Sequence, residues 1–431
     1  MKKLFVYADF DWLNNPEFVG ELSYESLRGS DSYGFKFDDE WLRKYGNLFI
    51  SADLNNYKGL QYTQPDKDIF GCFSDSLPDR WGRTLINRRE QILASEENRP
   101  IRRLSSFDYL VGINDLSRMG GFRFKENPDG DFINSDNILP IPPLTNIREL
   151  IYASKEIEKS EEENKLPDKK WLAQLIQPGS SLGGARPKAS VVGTDKALYI
   201  AKFPSRKDDY NVGLWEHFCH LLAQKAGIDS ATTQVISTND TYHTLLSRRF
   251  DRTETNKRIH FASAMTLLGL SDGDNASSGY GYLDIVDFIL QNCTDVNNNL
   301  QELYRRVAFN ICIGNSDDHF RNHGFLLTPK GWTLSPAYDM NPTLNEYQSL
   351  LISKSSNKAD LEILLNSCED YMLSHDTALK IIQEVTSAIK DWQILATKLG
   401  IPKSEMELFG GVFNSRINLE FSNFFTDNDR N

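Results

Sequence analysis

The sequence predicts an α+β chain: a mixed N-terminal region, then a β-rich lobe, then a helical lobe. Three observations lead there. The first 125 residues mix short β-like runs with helical ones and lack the regular strand–helix alternation of a doubly wound sheet. Paired apolar runs around Gly/Asp turns occupy the middle of the chain, and from about Tyr282 apolar residues recur at helical spacing. The 431 residues are material for two or three domains at roughly 100–200 residues each. A 40% hydrophobic, 25% charged composition is that of an ordinary globular protein.

In order, Lys3–Ala8, Phe18–Tyr24 and Tyr33–Phe37 read as strands and Trp81–Ala94 as a helix. The polar, turn-rich stretch from Glu126 to Asp136 and the proline-rich run Leu139 to Leu144 cannot sustain a helix or a central strand. Read as a linker, with a long surface loop inside one domain as the alternative, this stretch divides the chain into an N-terminal region at 1–125, a linker at 126–145, a β-rich lobe at 146–255 and a helical lobe at 256–431. In the β-rich lobe, Ser190–Val192 and Ala197–Phe203 flank Gly193-Thr194-Asp195-Lys196 as a hairpin. Leu214–Ala226 is a helix closed by Gly227, and Gln234–Ile236 and Tyr242–Phe250 add strands. Leu300, Leu303, Tyr304, Val307, Ala308, Ile311 and Cys312 form the stripe of an amphipathic helix that Gly314 ends. A hairpin at Gly324–Leu327 and Trp332–Leu334 follows.

Charge and cysteine content narrow the function. With 48 Lys+Arg against 60 Asp+Glu the net charge is −12, which argues against a surface built mainly to bind nucleic acid. No apolar run approaches the roughly 20 residues of a membrane span, and Asp9 cuts short the N-terminal apolar stretch that begins like a signal peptide. Five cysteines without a CxxC pair are expected to be reduced thiols in a cytoplasm.

Three segments carry chemistry. Pro178 to Lys188 includes Ser180, Ser181, Gly183, Gly184, Ala185 and Arg186, a backbone able to bend around an anion beside two cations, although an ordinary turn has the same composition. It is not a Walker A loop, because it leads to a strand. Lys202 alternates onto one face with Leu198 and Ile200, where its ammonium either snorkels to water or meets an anion. Glu216, fourteen residues on, is the candidate partner, and loop, strand lysine and helix glutamate is the order in which kinases cradle ATP phosphates. The third segment, Gly314 to His323, sets Asp317 five residues before Asn322, the spacing of HRDxxxxN. Asp339 follows the hairpin, and hard oxygen ligands of this kind suit Mg²⁺. Rival readings are a zinc grip by His319 and His323, disfavoured by Phe320 and the loop setting, and a helix cap by Asp317 and Asp318. His217 and His220 read as surface or core histidines rather than ligands.

Together these segments resemble the HipA family, the kinase toxins of bacterial type II toxin–antitoxin pairs, along almost the whole chain. Leu77-Pro78-Asp79-Arg80-Trp81-Gly82 is similar to that family's LPDGWG-type motif, with Asp108-Tyr109-Leu110 and Gly120–Phe124 beyond it. The Gly/Ser loop, Ala201-Lys202-Phe203, Ser247 to Arg252, Asn315 to Asn322 and Ala337-Tyr338-Asp339 complete the set.

The resemblance implies a two-lobed fold related to protein and lipid kinases, and an ATP- and Mg²⁺-dependent serine/threonine kinase. It makes Asp317 the catalytic aspartate and Asn322 and Asp339 the Mg²⁺ ligands. ATP would meet Ser181, Gly183, Gly184, Ala185, Lys188, Lys202, Glu216, His319, Asn322 and Asp339, with Arg248 to Phe250 as the hinge against adenine. Ser181 would be the autophosphorylated serine, with Ser180 beside it also open; a phosphate next to Arg186 and Lys188 would compete with ATP for the same cations. The implied partners are a HipB-like helix-turn-helix antitoxin, DNA mainly through that antitoxin, and a translation-related protein substrate such as an aminoacyl-tRNA synthetase. The alternatives are a non-catalytic kinase-like module that docks a repressor and a small-molecule kinase.

Overall fold

Alternation along Lys2–Ala8 turns Leu4, Val6 and Ala8 to one side, and all three are fully buried. In the computed structural model, which describes residues 1–27, 30–65, 67–135, 141–176, 184–238 and 240–417, this strand belongs to a five-stranded antiparallel sheet. The order across it is Leu60–Tyr62, Ser30–Phe37, Glu17–Leu27, Lys2–Ala8 and Phe122–Lys125. Its apolar face carries Tyr33, Phe35, Phe37, Phe122 and Phe124 and packs on Trp41, Phe70 and Phe73. The Phe35–Phe73 and Phe73–Phe124 ring centroids lie 5.5 and 5.8 Å apart.

The helix Arg80–Glu96 starts where Asp79 accepts the Gly82 N–H at 2.8 Å. Its Trp81 and Leu85 leave the first sheet's core and join a second one with the helices Ile147–Glu162 and Lys169–Ile176. That core lies against a four-stranded antiparallel sheet ordered Lys188–Val192, Leu198–Lys202, Thr244–Arg248 and Thr233–Ile236. Tyr199, Ala201 and Phe203 face this core, so Leu198, Ile200 and Lys202 take the opposite face. The Val212–Lys225 helix packs beside the sheet, and Gly227, at φ 78°, ends it in the left-handed region.

The C-terminal part is built around Val296–Ile313, whose stripe from Leu300 to Cys312 is 0–2% exposed. Helices Tyr282–Asn292, Leu361–Asn366, His375–Ile389, Trp392–Lys398 and Lys403–Ile417 accompany it, with a three-stranded antiparallel sheet ordered Phe261–Ser263, Gly324–Thr328 and Gly331–Leu334. The architecture is therefore the mixed α+β one that the sequence predicts, β-rich first and helical last. All five cysteines are free thiols. Among the described residues no helix is long and apolar enough to cross a membrane.

Candidate active site

Lys202 ends the second strand of the four-stranded sheet, and two carboxylates meet its ammonium. It donates to Glu216 Oε1 at 2.7 Å and to Asp339 Oδ1 at 2.5 Å. The side chain is only 13% exposed, so of the two fates open to it, pairing prevails over snorkelling. Burial alone would depress its pKa, but Asp339 and Glu216 outweigh that and raise it. Glu216 stays put because its helix is pinned to the C-terminal helices. Neighbouring Trp215 lies 4.8 Å from Phe409, ring centre to ring centre, and donates its indole N–H to Glu405 at 2.7 Å. Burial pushes the Glu216 carboxyl up against the opposing pull of Lys202. Asp339 sits at φ 59°, just after the hairpin. Burial would raise its carboxyl too, yet Lys202 holds it down at about 2, so it is ionised at neutral pH.

The loop after Gly314 supplies the other groups. Gly314 takes φ 75° and caps the long helix through its N–H to Asn310 O and Ile311 O, turning the chain sharply. Asp318 is the loop's buried anchor: its Oδ2 accepts from Tyr282 Oη at 2.6 Å, Asn310 Nδ2 at 2.8 Å and His323 Nε2 at 2.8 Å. Asp317, its neighbour, is exposed instead. Partial desolvation raises its carboxyl pKa, Asp339 and Asp318 add to the rise, and His319 and Arg80 oppose it. Asp317 therefore lies within the field of Asp339 and stays open to solvent while its neighbour is enclosed. Asn322 donates its amide N–H to the Asp317 carbonyl at 3.1 Å, which leaves its side-chain oxygen as the acceptor end.

The helix-cap reading of Asp317 and Asp318 fails, because the loop runs on into the strand Gly324–Thr328 with no helix after it. The two-histidine zinc grip fails as well, since His323 is spent on Asp318 inside the anchor. His220 is a core histidine, 1% exposed and kept neutral by burial with its pKa lowered to about 3. His217 bonds Thr233 Oγ1 through its Nδ1 at 2.8 Å.

At the far end of the sheet, the Arg248 and Arg249 amides donate to Thr232 O and Leu198 O, and the Phe250 ring lies 5.4 Å from that of Tyr338. The buried Arg249 guanidinium bonds Asp251 and the carbonyls of Ser117 and Arg118, so the N-terminal region braces this segment. Of the Gly/Ser loop, Gly184 and Ala185 are exposed, whereas Ser180, Ser181 and Gly183 lie outside the described residues. The two cations expected beside that loop are not open charges. Arg186 forms a bidentate pair with Asp208 at 2.8 and 2.6 Å, and Lys188 is buried against Asp79 at 2.8 Å. Their burial is the reason, since an enclosed cation requires a counter-charge.

Sequence reasoning gave no chemical role to Asp79, Arg80 or Asp318. Arg80 makes a 3.7 Å ion pair with Asp272 and acts on Asp317 from the N-terminal region. The one available signal was the helix-start pattern Pro78-Asp79-Arg80, which marks a cap and says nothing of its second contact.

The donor chemistry fits a divalent cation. The described residues hold no group of three or more His, Cys, Asp or Glu side chains disposed as a metal cage. Mg²⁺ asks for less, one or two protein oxygens together with water and phosphate. The ionised Asp339 carboxylate and the Asn322 amide oxygen are donors of that kind.

Comparison with known proteins bears on the family and the fold. The HipA N-terminal domain model matches residues 12–107 and the HipA-like C-terminal domain model matches 180–393. The serine/threonine-protein kinase toxin HipA of Shewanella oneidensis is 25% identical over 349 residues, covering 75% of this chain and 72% of the relative. A Haemophilus influenzae protein is 25% identical over 181 residues, and there the chain spans only about half the relative's length, 52%. Among solved structures, a chain of the Shewanella oneidensis MR-1 HipA, HipB and operator DNA complex superposes with a TM-score of 0.67 at 16% identity, covering 96% of this chain and 95% of that one. Two domain models of one family, in order along the chain and separated by residues 108–179, account for more than two thirds of the residues, so the chain belongs to the HipA family.

Proposed function

We propose that the chain is an ATP- and Mg²⁺-dependent serine/threonine protein kinase acting as the toxin of a type II toxin–antitoxin pair. The observation that carries this reading is the Lys202 ammonium held between Glu216 and Asp339, with Asp317 and Asn322 on the adjoining loop. Phosphoryl transfer demands mainly positioning and charge neutralisation. Lys202, fixed by Glu216, contacts the ATP phosphates. Asp317, exposed and with its proton affinity raised, orients the acceptor hydroxyl and takes its proton. Asn322 and Asp339 would hold Mg²⁺, which when bound neutralises charge on the transferred phosphoryl group. Adenine stacks along the Arg248–Phe250 segment.

The partner is a HipB-like helix-turn-helix antitoxin that carries most of the DNA contact, a reading supported by the HipA, HipB and operator DNA assembly of the structural relative and by this chain's charge of −12. The substrate is a translation-related protein, with an aminoacyl-tRNA synthetase as the leading class, and autophosphorylation falls on Ser181 or the adjacent Ser180. The test is incubation with γ-labelled ATP and Mg²⁺ followed by peptide mapping. Label on Ser181 or Ser180 in the wild type, and none in Asp317→Ala or Asp339→Ala, is expected. Growth arrest at full strength in both variants would overturn the reading.

A further inference from the structure

Lys188 and Lys202 are direct register partners on adjacent antiparallel strands, so their side chains share one face of the sheet. Like charges placed directly opposite repel, and both ammoniums are largely buried, so each requires a carboxylate. Lys202 has Glu216 and Asp339. Lys188, 1% exposed, has Asp79 Oδ2 at 2.8 Å and the Gly184 carbonyl at 3.2 Å. Asp79 lies outside the β-rich lobe: it is the N-cap of the Arg80–Glu96 helix, and its other oxygen accepts the Gly82 N–H at 2.8 Å. Among the described residues, three carboxylates thus pair with these two ammoniums on the wall assigned to the nucleotide phosphates. The field of Lys188 also reaches Asp339, so the two lysines act on one site.

We propose that Asp79 is a positioning residue through which the N-terminal region governs nucleotide affinity, because it competes with the phosphates of a nucleoside triphosphate for Lys188. The inference rests on the kinase reading above. A lysine has three N–H donors, and Lys188 spends two on Asp79 and Gly184. A triphosphate that draws the ammonium to itself leaves Asp79 buried beside the helix start without a counter-charge. The carboxylate relieves this by moving toward water with the first turn of its helix. The coupling is reciprocal: whatever draws the start of the Arg80–Glu96 helix off the sheet frees Lys188 for nucleotide.

Asp79→Asn separates this role from simple capping, because asparagine caps helices as well as aspartate does. Calorimetric titration of the full chain should find that Asp79→Asn binds ATP about tenfold more tightly than wild type, from the loss of one nearby negative charge. Adenosine affinity should be unchanged, and in a Lys188→Met background Asp79→Asn should alter nothing. For wild type, amide exchange at Gly82 should quicken with a non-hydrolysable ATP analogue and not with adenosine, a readout that needs no variant to fold. Unchanged or weaker ATP binding by a folded Asp79→Asn, a gain that survives Lys188→Met, or Gly82 exchange indifferent to the analogue would each overturn the proposal while the kinase reading stands. Absence of ATP binding by the wild type would overturn both.

Discussion

Replacing Lys202 by methionine keeps the length of the stem and deletes the ammonium between two carboxylates. Glu216, whose side chain is 3% exposed, then remains buried with Asp339 beside it. Holding the Asp339 carboxyl at about 2 against an ordinary 3.8 corresponds to about 2.5 kcal/mol of attraction. The stranded Glu216 adds to this, and removing one partner of a buried pair costs about 3–5 kcal/mol. Lys202→Met should therefore lose about 3–5 kcal/mol at neutral pH, read from urea midpoints at constant m. The pH dependence has a definite sign. The pKa of Lys202 is raised above 10.5, so its contribution is complete at every pH below that value and its own titration plays no part in mildly acidic buffer. Asp339 is depressed, so in the wild type its contribution is present above 3.8 and is lost as pH falls toward 2. Without the ammonium, the burial that already opposes ionisation of both groups should raise both carboxyls; the folded state should then take up protons ahead of the unfolded chain, and stability should recover as the solution is acidified. The gap between wild type and variant should narrow steadily from neutral pH to about pH 4.5. A loss below about 1 kcal/mol, the range of an exposed ion pair, or a gap that does not change with pH, would refute the argument.

Other perturbations follow from the same geometry. Asp318→Asn removes the charge on which Tyr282, Asn310 and His323 converge and should cost about 2–4 kcal/mol in urea melts, with transfer falling because Asp317 is the adjacent residue; wild-type stability after this change would remove Asp318 as the anchor. Gly314→Ala should destabilise by at least about 1 kcal/mol, since the backbone is at φ 75° and the new methyl would stand 2.5 Å from Val412 Cγ1 and 2.9 Å from the Thr343 carbonyl oxygen; an unchanged melting temperature would contradict this. Because burial, Asp339 and Asp318 raise the Asp317 carboxyl above 3.8, the acidic limb of the kcat/KM profile should lie above the ordinary aspartate range. His319→Gln, which removes an opposing positive field, should push that limb higher still, and a limb at or below 3.8 would argue against Asp317 as the titrating group.

Local pattern was enough for several of the elements that carry the site. Apolar spacing from Leu300 to Cys312 marks the long helix, and Gly314 its end, because an amphipathic stripe and a left-handed cap are encoded within a few turns of chain. The hairpin around Gly193–Lys196 is equally local, its turn closed by Gly193 N–H to Ala197 O and Lys196 N–H to Gly193 O. The face that Lys202 takes follows from alternation alone. Of its partners, Glu216 is the one that order along the chain offers, fourteen residues on, whereas Asp339 lies 137 residues away and only the folded chain brings it to the ammonium.

Charge pairing across the fold was the least legible part. Arg186 and Lys188 read as open cations because a sequence displays charge without its counter-charge. Asp208 is 22 residues from Arg186 and Asp79 is 109 from Lys188. The difference between Asp317 and Asp318 has the same origin. They are adjacent and chemically identical, and only the arrival of Tyr282, Asn310 and His323 buries one as an anchor and leaves the other facing solvent. Residue type, spacing and order by themselves gave the long helix, the hairpins and the motifs that resemble the HipA family, since each is written within a short stretch of chain, whereas the helices Ile147–Glu162 and Lys169–Ile176 went unmarked. Tertiary structure alone decided which charge meets which, because electrostatic pairing depends on distance through space and on burial, neither of which separation along the chain records.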